Sequence, residues 1–240
     1  MRTANPALSG NVFSDRAGAG ASGAAMTVQG SVNKTGLLCI IAVGAGAFTW
    51  GNASPGMMIL GGIGGLVAAL VTIFKKEWAP TTAPVYAVFE GMFLGAISSI
   101  YESMYPGIVT NAIMLTFGIL LALLLAYKSG IIKVTDNFRL GIVAATGGIA
   151  LVYMISFVIG IFGIRMPFIH DAGPLGIGIS LFIVVIAALN LVLDFDFIER
   201  GAEFGAPKYM EWYAAFGLLV TLVWLYLEIL RLLAKLNRRR

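Results

Sequence analysis

The run FGLLVTLVWLYLEIL, residues 216–230, holds a single acid, Glu228, among uncharged and mostly apolar residues. A second run, LFIVVIAALNLVLD, residues 181–194, is apolar apart from Asn190 and closes on Asp194. Ionisable side chains are costly in hydrocarbon, so they usually face the interior of a helix bundle and mark a path for ions or protons. The two runs therefore predict a membrane protein with a proton-sensitive site on its last two helices.

The composition of the chain is that of a membrane protein. Of its 240 residues, 59% are hydrophobic and 12% are charged, whereas a soluble domain carries about 25% charged residues. The mean hydropathy is +0.90, and the apolar residues come in long runs, which predicts a polytopic protein embedded in a lipid bilayer. The formal net charge of +4 lies in connectors and at the tail, so a nucleic-acid partner is not expected. The single cysteine, Cys39, excludes an internal disulfide.

Seven apolar segments predict an all-α membrane protein with seven transmembrane helices, since each segment is close to the roughly 20 residues that span hydrocarbon. The segments are Thr35–Trp50, Met57–Phe74, Pro84–Tyr101, Ile108–Tyr127, Leu140–Phe162, Leu175–Leu193 with a turn or more beyond it, and a last one from near Trp212 to Arg231. Short connectors indicate one domain over residues 34–240. Residues 1–33 are rich in Gly, Ala, Ser and Asn and lack the apolar core of a signal peptide, which predicts a disordered cytoplasmic tail.

Small residues are dense in three of these segments. They include the run Gly61–Gly65, the pair Gly91 and Gly95, and the pair Gly147 and Gly148. In lipid, such residues let helix backbones approach closely. The sequence therefore predicts tight helix packing at these positions.

The distribution of basic residues predicts the orientation of the chain. If the segments alternate, one side carries Lys34, Lys75, Lys76, Lys128, Lys133, Arg139, Arg200 and Lys208, whereas the connectors of the opposite side carry only Arg165. Cytoplasmic loops are enriched in Lys and Arg, so the amino terminus is expected in the cytoplasm. The arginines at 238–240 leave two alternatives, a full seventh crossing or a re-entrant last segment; the apolar length favours seven crossings.

Only four of the twelve acids, Glu90, Asp194, Asp196 and Glu228, fall inside or against an apolar segment. The other eight, Glu211 among them, lie in connectors or the tail, where we expect solvated surface charges. Asn190 and Asp194 are four residues apart and share a helix face, whereas Asp196 points to nearly the other side, which favours Asp194 as the acid that faces the bundle. Two neighbouring carboxyls in low dielectric take up one proton together and would form a pH switch, closed when protonated and open when ionised.

The same residues also allow interpretations that involve no proton sensing. Glu228 could pair with Arg231, three residues further on, and Asp194 could lie hydrated at the membrane interface. Glu228 is about 24 Å along the helix from Trp212 at 1.5 Å per residue. The two acids therefore meet only if the sixth helix extends past Asp194 or the seventh begins later.

Glu90 has two interpretations of its own. It could pair with Lys75, at the end of the second segment, or it could ligate a cation. A single carboxylate makes a weak Ca²⁺ site, because Ca²⁺ takes six or more oxygen ligands. The ion pair is therefore the preferred interpretation, and any metal site stays unassigned.

Signatures of enzymes are missing from the sequence. It contains neither His-Glu-x-x-His nor Gly-x-Ser-x-Gly, and its one histidine, His170, lies in a connector. A retinal protein needs a lysine midway along the last helix, whereas Lys235 lies near the end. We therefore expect neither an enzyme nor a cofactor.

Three motifs resemble the Bax inhibitor-1 family. Residues 225–230, LYLEIL, resemble the family signature LYLDIL of the last helix, and residues 190–199, NLVLDFDFIE, look like the end of the sixth helix. Residues 84–95, PVYAVFEGMFLG, resemble the third helix of bacterial members. The similarity extends over roughly residues 35–235.

This resemblance implies a seven-helix fold with the last helix at the centre. It also implies that an acid pair between the sixth and seventh helices acts as a pH-sensing latch on a calcium leak. By motif position the pair is Asp194 and Glu228, with Asp196 as an alternative partner and Lys75 as the nearest match to an associated basic residue. Glu228 stands where the family usually has Asp, which moves the carboxyl group.

Two functions are expected from these observations. The first is a pH-sensitive calcium or cation leak channel in a bacterial plasma membrane, with Ca²⁺ as the permeant ion. The second is a non-conducting membrane regulator that binds a membrane protease or another membrane partner, as some bacterial members are thought to do. In the second case the tail, residues 1–33, would matter most.

Overall fold

The computed structural model describes residues 25–51, 54–163 and 173–239. In these residues the regular structure is helical apart from an isolated antiparallel bridge between Ala25 and Pro207. The α-helices are α1 Val28–Trp50, α2 Pro55–Phe74, α3 Ala79–Met104, α4 Ile108–Lys128, α5 Asp136–Ile161, α6 Pro174–Glu203 and α7 Met210–Arg238, with a 3₁₀ turn, Lys76–Trp78, before α3. All seven are long and apolar enough to cross a membrane, which confirms the predicted fold.

Local sequence explains where several helices begin. The side chains of Thr27, Ser54 and Thr135 each accept a hydrogen bond from a backbone N–H three residues on, at the starts of α1, α2 and α5. These hydroxyls satisfy donors that the first turn of a helix leaves without a partner. Proline occupies the first turn of α2, α3 and α6, where its missing N–H costs nothing.

The last helix lies at the centre of the bundle, as the family resemblance implied. Helix α7 packs against α1, α3, α4 and α6, and buried residues are found on all of its sides. It runs without a break for 29 residues, so the last segment is one continuous helix and does not fold back within the bundle. The first and last helical residues, Val28 and Arg238, therefore lie at opposite ends of the bundle, here called the N-terminal end and the C-terminal end.

Helices α1, α2 and α3 pack backbone against backbone at glycines. A Cβ atom at Gly91 would overlap the carbonyl group of Ala42, and one at Gly95 would overlap that of Gly46. At Gly61 it would lie 2.7 Å from the backbone nitrogen of Phe93. These contacts confirm tight packing at the first two glycine motifs, because any larger residue would push the helices apart.

Helix α5 is held to the bundle more loosely than the other helices. Only Arg139, Ile142 and Ile149 of its 26 residues are buried, and it packs mainly against α6. A Cβ atom added at Gly147 or Gly148 would have no neighbour within 4 Å among the described residues. The third glycine motif therefore makes no close helix contact within this chain, contrary to the sequence prediction.

The boundary between tail and bundle lies earlier than the sequence predicted. Helix α1 begins at Val28, and the backbone N–H of Met26 donates to the carbonyl of Ala206, 2.7 Å away in the loop between α6 and α7. Residues 25–33 therefore belong to the folded domain, because the loop and a side chain of α7 hold them in place. The rest of the predicted tail, residues 1–24, lies outside the described residues.

Candidate proton-sensing and cation-binding site

Asp194 and Glu228 both lie inside the helix bundle. Each is 1% exposed, Asp194 on α6 and Glu228 on α7. These two helices contain the largest buried faces of the chain. The interpretation of Asp194 as a hydrated residue is wrong, because its side chain is buried inside the bundle and shielded from solvent.

The Glu228 carboxylate is bound by three side chains. Its Oε1 accepts hydrogen bonds from the Tyr153 hydroxyl at 2.7 Å and from the Trp224 indole at 3.3 Å. The Arg231 guanidinium lies 3.1 Å from both carboxylate oxygens, and it also stacks over the Tyr153 ring, 5.2 Å from the centroid. The local pair with Arg231 is therefore present, and it is extended to α5 through Tyr153.

Cross-helix contacts fix the register of α6 against α7. Lys235, near the end of α7, donates to the Gly176 carbonyl at 2.9 Å and to the Ser180 hydroxyl at 2.8 Å, near the start of α6. Lys235 therefore lies level with about residue 178 of α6, midway between its two partners. Because the helices are antiparallel, Glu228, seven residues before Lys235, lies level with about residue 185. Asp194 is nine residues further along α6, or about 13 Å at 1.5 Å per residue.

The structure therefore does not bring the Asp194 and Glu228 carboxyls together. The physical reason is an unequal distance from the loop that joins the helices. Asp194 lies nine residues before the last residue of α6, Glu203, whereas Glu228 lies eighteen residues after the first residue of α7, Met210. In this conformation the two acids occupy different depths of the bundle and do not share a proton directly.

Asp196 belongs to a separate ion-pair group at the N-terminal end of the bundle. Its Oδ2 lies 2.8 Å from Arg139 of α5, and its Oδ1 lies 3.0 Å from Arg200 one turn along α6. Arg139 also approaches the exposed carboxylate of Asp136 at 3.6 Å. Asp196 therefore faces away from Glu228 and is neutralised by two guanidinium groups, so it is not the alternative partner.

Asn190 lies one turn before Asp194 and faces α5. It is 2% exposed, and its Nδ2 donates to the Thr146 hydroxyl and to the Ile186 carbonyl, each at 2.8 Å. The amide thus forms the polar link between α5 and α6 at the middle of the bundle. Sequence reasoning placed Asn190 on the right stripe but did not identify this partner.

Glu90 and Lys75 do not form the predicted ion pair with each other. The Glu90 carboxylate lies against α2, where a Cβ atom added at Gly65 would be 2.9 Å from its Oε2. Lys75 follows Gly65 by ten residues, which is about 15 Å along the helix. The pair therefore fails because Glu90 lies too deep in the bundle for a lysine at the end of α2.

Sequence reasoning missed Glu211, which is not a solvated connector residue but 0% exposed. Its carboxylate accepts hydrogen bonds from the backbone N–H and hydroxyl of Thr27, each at 2.9 Å. It also binds Lys208 at 2.7 Å and Lys34. We call this group the Glu211 clasp; it ties the start of α1 to the start of α7. The sequence analysis placed Thr27 in the tail, and nothing in the sequence indicated a contact between residues 184 positions apart.

A second missed pattern is a polar stripe along α5. Arg139, Thr146 and Tyr153 are spaced seven residues apart, so they share a helix face. Each contacts a polar residue of α6 or α7. The heptad spacing was visible in the sequence, but neither a lone threonine nor a lone tyrosine stands out in an apolar segment.

The described residues contain no group of three or more His, Cys, Asp or Glu side chains that could hold a metal ion. Any cation would therefore meet these carboxylates one at a time, together with hydroxyl and amide oxygens.

No curated protein and no solved structure gives a significant match. A family model described as Bax inhibitor 1 like matches residues 5–238, nearly the whole chain. With seven membrane-spanning helices, a central last helix and this match, the chain belongs to the Bax inhibitor 1 like family.

Proposed function

We propose that this protein is a pH-sensitive leak pathway for Ca²⁺ or another cation in a bacterial plasma membrane, with its amino terminus in the cytoplasm. Membership of the family supports a membrane protein of this kind. The observation that carries the proposal is the presence of two carboxyl groups, Asp194 and Glu228, each 1% exposed inside membrane-spanning helices. Such groups are expensive to bury and are by default functional candidates.

The proposed pH response is a competition between protons and cations for these carboxyls. An ionised carboxylate attracts a cation in a low dielectric, whereas a protonated one does not. Cation flux should therefore fall as the pH falls and the acids become protonated. Because the two carboxyls lie at different depths, we propose that they act as two separate stations and not through one shared proton.

Purified full-length protein in liposomes tests this proposal by Ca²⁺ flux measured across a pH series. Glu228→Gln and Asp194→Asn should each lower the flux and flatten its pH dependence, since the amide keeps the shape of the side chain and loses its charge. Glu203→Gln is the matched control, because Glu203 is exposed at the end of α6. Flux and pH dependence that are unchanged in both buried variants would refute the proposed role of the acids, and a wild-type protein without flux would refute the leak itself.

A non-conducting regulator that binds a membrane protease or another membrane partner is the second candidate. The Glu211 clasp favours it, because the clasp holds residues 25–27 beside the loop between α6 and α7. Residues 1–24, which lie outside the described part of the chain, are the proposed partner-binding segment. Deletion of residues 1–24 should then abolish capture of the partner, and the wild-type protein should carry no flux. Capture that persists after the deletion would count against this function.

A further inference from the structure

The contacts of α5 with its neighbours include a series of polar side chains at three successive depths. At the N-terminal end Arg139 binds Asp196 at 2.8 Å, and in the middle Asn190 binds Thr146 at 2.8 Å. Tyr153 continues the series by donating to Glu228 of α7 at 2.7 Å. We call this series the α5 seam.

The α5 seam extends through most of the membrane thickness. Its residues on α5, from Arg139 to Tyr153, cover fourteen residues, or about 21 Å at 1.5 Å per residue. The hydrocarbon core of a bilayer is about 30 Å thick. Polar contacts at three depths therefore cover about two thirds of the distance that a permeating ion must cross.

Little apolar packing holds the seam closed. The buried apolar residues between α5 and α6 are Ile142 and Ile149 on one side and Ile183, Ile186 and Leu193 on the other. Much of the remaining surface of α5 is exposed. A small displacement of α5 would thus break few packing contacts, and in lipid the association of helices depends on such contacts and on interhelical hydrogen bonds.

The chemistry of the seam suits a hard cation. Carboxylate, amide, hydroxyl and phenol oxygens are the ligand types that Ca²⁺ takes. In the present conformation the two carboxylates are already occupied by positive groups. Arg139 and Arg200 bind Asp196, and Arg231 binds Glu228.

A second opening in the bundle does not fit a cation. A cavity of about 430 Å³ lies between α1, α3, α4 and α7, with a lining that is mostly apolar. Two of its hydroxyls, Ser98 and Tyr226, are hydrogen-bonded to each other at 2.7 Å. Desolvation of an ion in such a lining would be uncompensated, so the cavity is a poor alternative route.

We infer that cations cross between α5 and the pair of helices α6 and α7 along the α5 seam, where they displace Arg139 and Arg231 from the carboxylates of Asp196 and Glu228. This inference rests on the proposed leak function and assigns it a route. The titratable neighbours of the two carboxylates are part of the route. Arg231 and Tyr153 contact Glu228, with Tyr101 of α3 near Arg231. Around Asp196 are Arg139 and Arg200, with Tyr127 of α4 nearby.

Flux through variants of the seam tests this route in liposomes. Thr146→Val and Tyr153→Phe remove one hydroxyl each from the seam and keep the size of the side chain. Each should lower the Ca²⁺ flux about tenfold, since one hydrogen-bond-sized contribution to a barrier corresponds to about that factor. Thr116→Val and Tyr226→Phe make the same chemical changes on the cavity side and should leave the flux within about twofold of wild type.

The threonine control is matched in depth as well as in chemistry. Tyr127 of α4 bonds to Glu199 of α6, and these helices run parallel, so Thr116 lies opposite residue 188 of α6. That position is within two residues of Asn190, the partner of Thr146. The two threonines therefore lie at nearly the same depth in the membrane, but Thr146 faces the seam and Thr116 faces the cavity.

Cysteine accessibility gives a second readout that does not depend on flux. In a Cys39→Ser background, Thr146→Cys should react with a water-soluble, membrane-impermeant thiol reagent, and Ca²⁺ should slow the reaction. Thr116→Cys should not react. Wild-type flux combined with seam variants that behave like their controls would overturn the route and leave the leak function standing. Absence of wild-type flux would overturn the leak function, and absence of Thr146→Cys labelling would overturn a hydrated seam.

Discussion

Loss of the Glu211 clasp should destabilise the protein at one defined place. Glu211 is 0% exposed and accepts bonds from Thr27, Lys34 and Lys208. Glu211→Gln keeps the shape of the side chain and removes the charge. The expected loss in free energy of unfolding is about 2 kcal/mol. This is below the 3–5 kcal/mol typical of a broken buried pair, because the side chain of Lys208 is 49% exposed and water can solvate it.

Two measurements test the predicted loss of stability in Glu211→Gln. Equilibrium unfolding in detergent micelles reports the free energy of the variant against Glu203→Gln, an exposed acid that should shift it by less than about 0.5 kcal/mol. Hydrogen exchange reports the site, because the amides of Met26 and Thr27 are bonded to Ala206 and to Glu211. In Glu211→Gln both amides should exchange faster, whereas amides in the middle of α7 should not change at low denaturant.

A second variant should disrupt the Glu211 clasp from α1. A Cβ atom at Gly30 would overlap the Glu211 carboxylate, so Gly30→Ala should also break the clasp. If both variants act through one contact, their effects will not add in the double variant. Additive effects, or a Glu211→Gln protein as stable as Glu203→Gln, would refute the reasoning.

Further predictions concern the geometry of the bundle. In a Cys39→Ser background, Asp194→Cys combined with Glu228→Cys should not form a disulfide on oxidation, because about 13 Å of helical rise exceeds the limit of about 7 Å between bridged Cα atoms. Gly95→Ala should destabilise the protein by about 2 kcal/mol or more, as overpacking does, because the added methyl group overlaps the backbone of α1. Gly147→Ala should be neutral or slightly stabilising, since nothing lies near it in the described residues and alanine favours the helix by about 1 kcal/mol.

Each of these has a direct check. Thr72→Cys combined with Thr82→Cys, in the same background, is the positive control for oxidation, because these short side chains on α2 and α3 bring their hydroxyl oxygens within 2.7 Å of each other. Efficient cross-linking of positions 194 and 228 would show that α7 slides along α6 or that the register is different. For the glycines, equal melting temperatures of Gly95→Ala and Gly147→Ala would contradict the close approach of α1 and α3.

The sequence by itself determined the seven helices and the burial of two acids. The length and apolarity of the segments were sufficient, because a helix satisfies its own backbone in hydrocarbon whatever its neighbours are. The pair of Glu228 with Arg231 was also readable, since residues three apart on a helix are neighbours in any fold. The glycines of α2 and α3 also indicated close packing, because residues without a side chain let helix backbones approach, although the glycine pair of α5 makes no such contact within the described residues.

Only the tertiary structure decided which of these groups meet. The motif positions implied that Asp194 and Glu228 form a pair, but the lengths of α6 and α7 on either side of their loop place the two residues at depths that differ by about 13 Å of helical rise. The sequence predicted that Glu211 is a solvated surface acid, whereas in the structure the start of α1 covers it and Thr27 donates to its carboxylate. The polar stripe on α5 could be recognised only in the structure, because its partners Asp196, Asn190 and Glu228 lie on other helices. Helix periodicity is a local property, whereas the register of one helix against another depends on where both begin and end, and that was not readable from either helix alone.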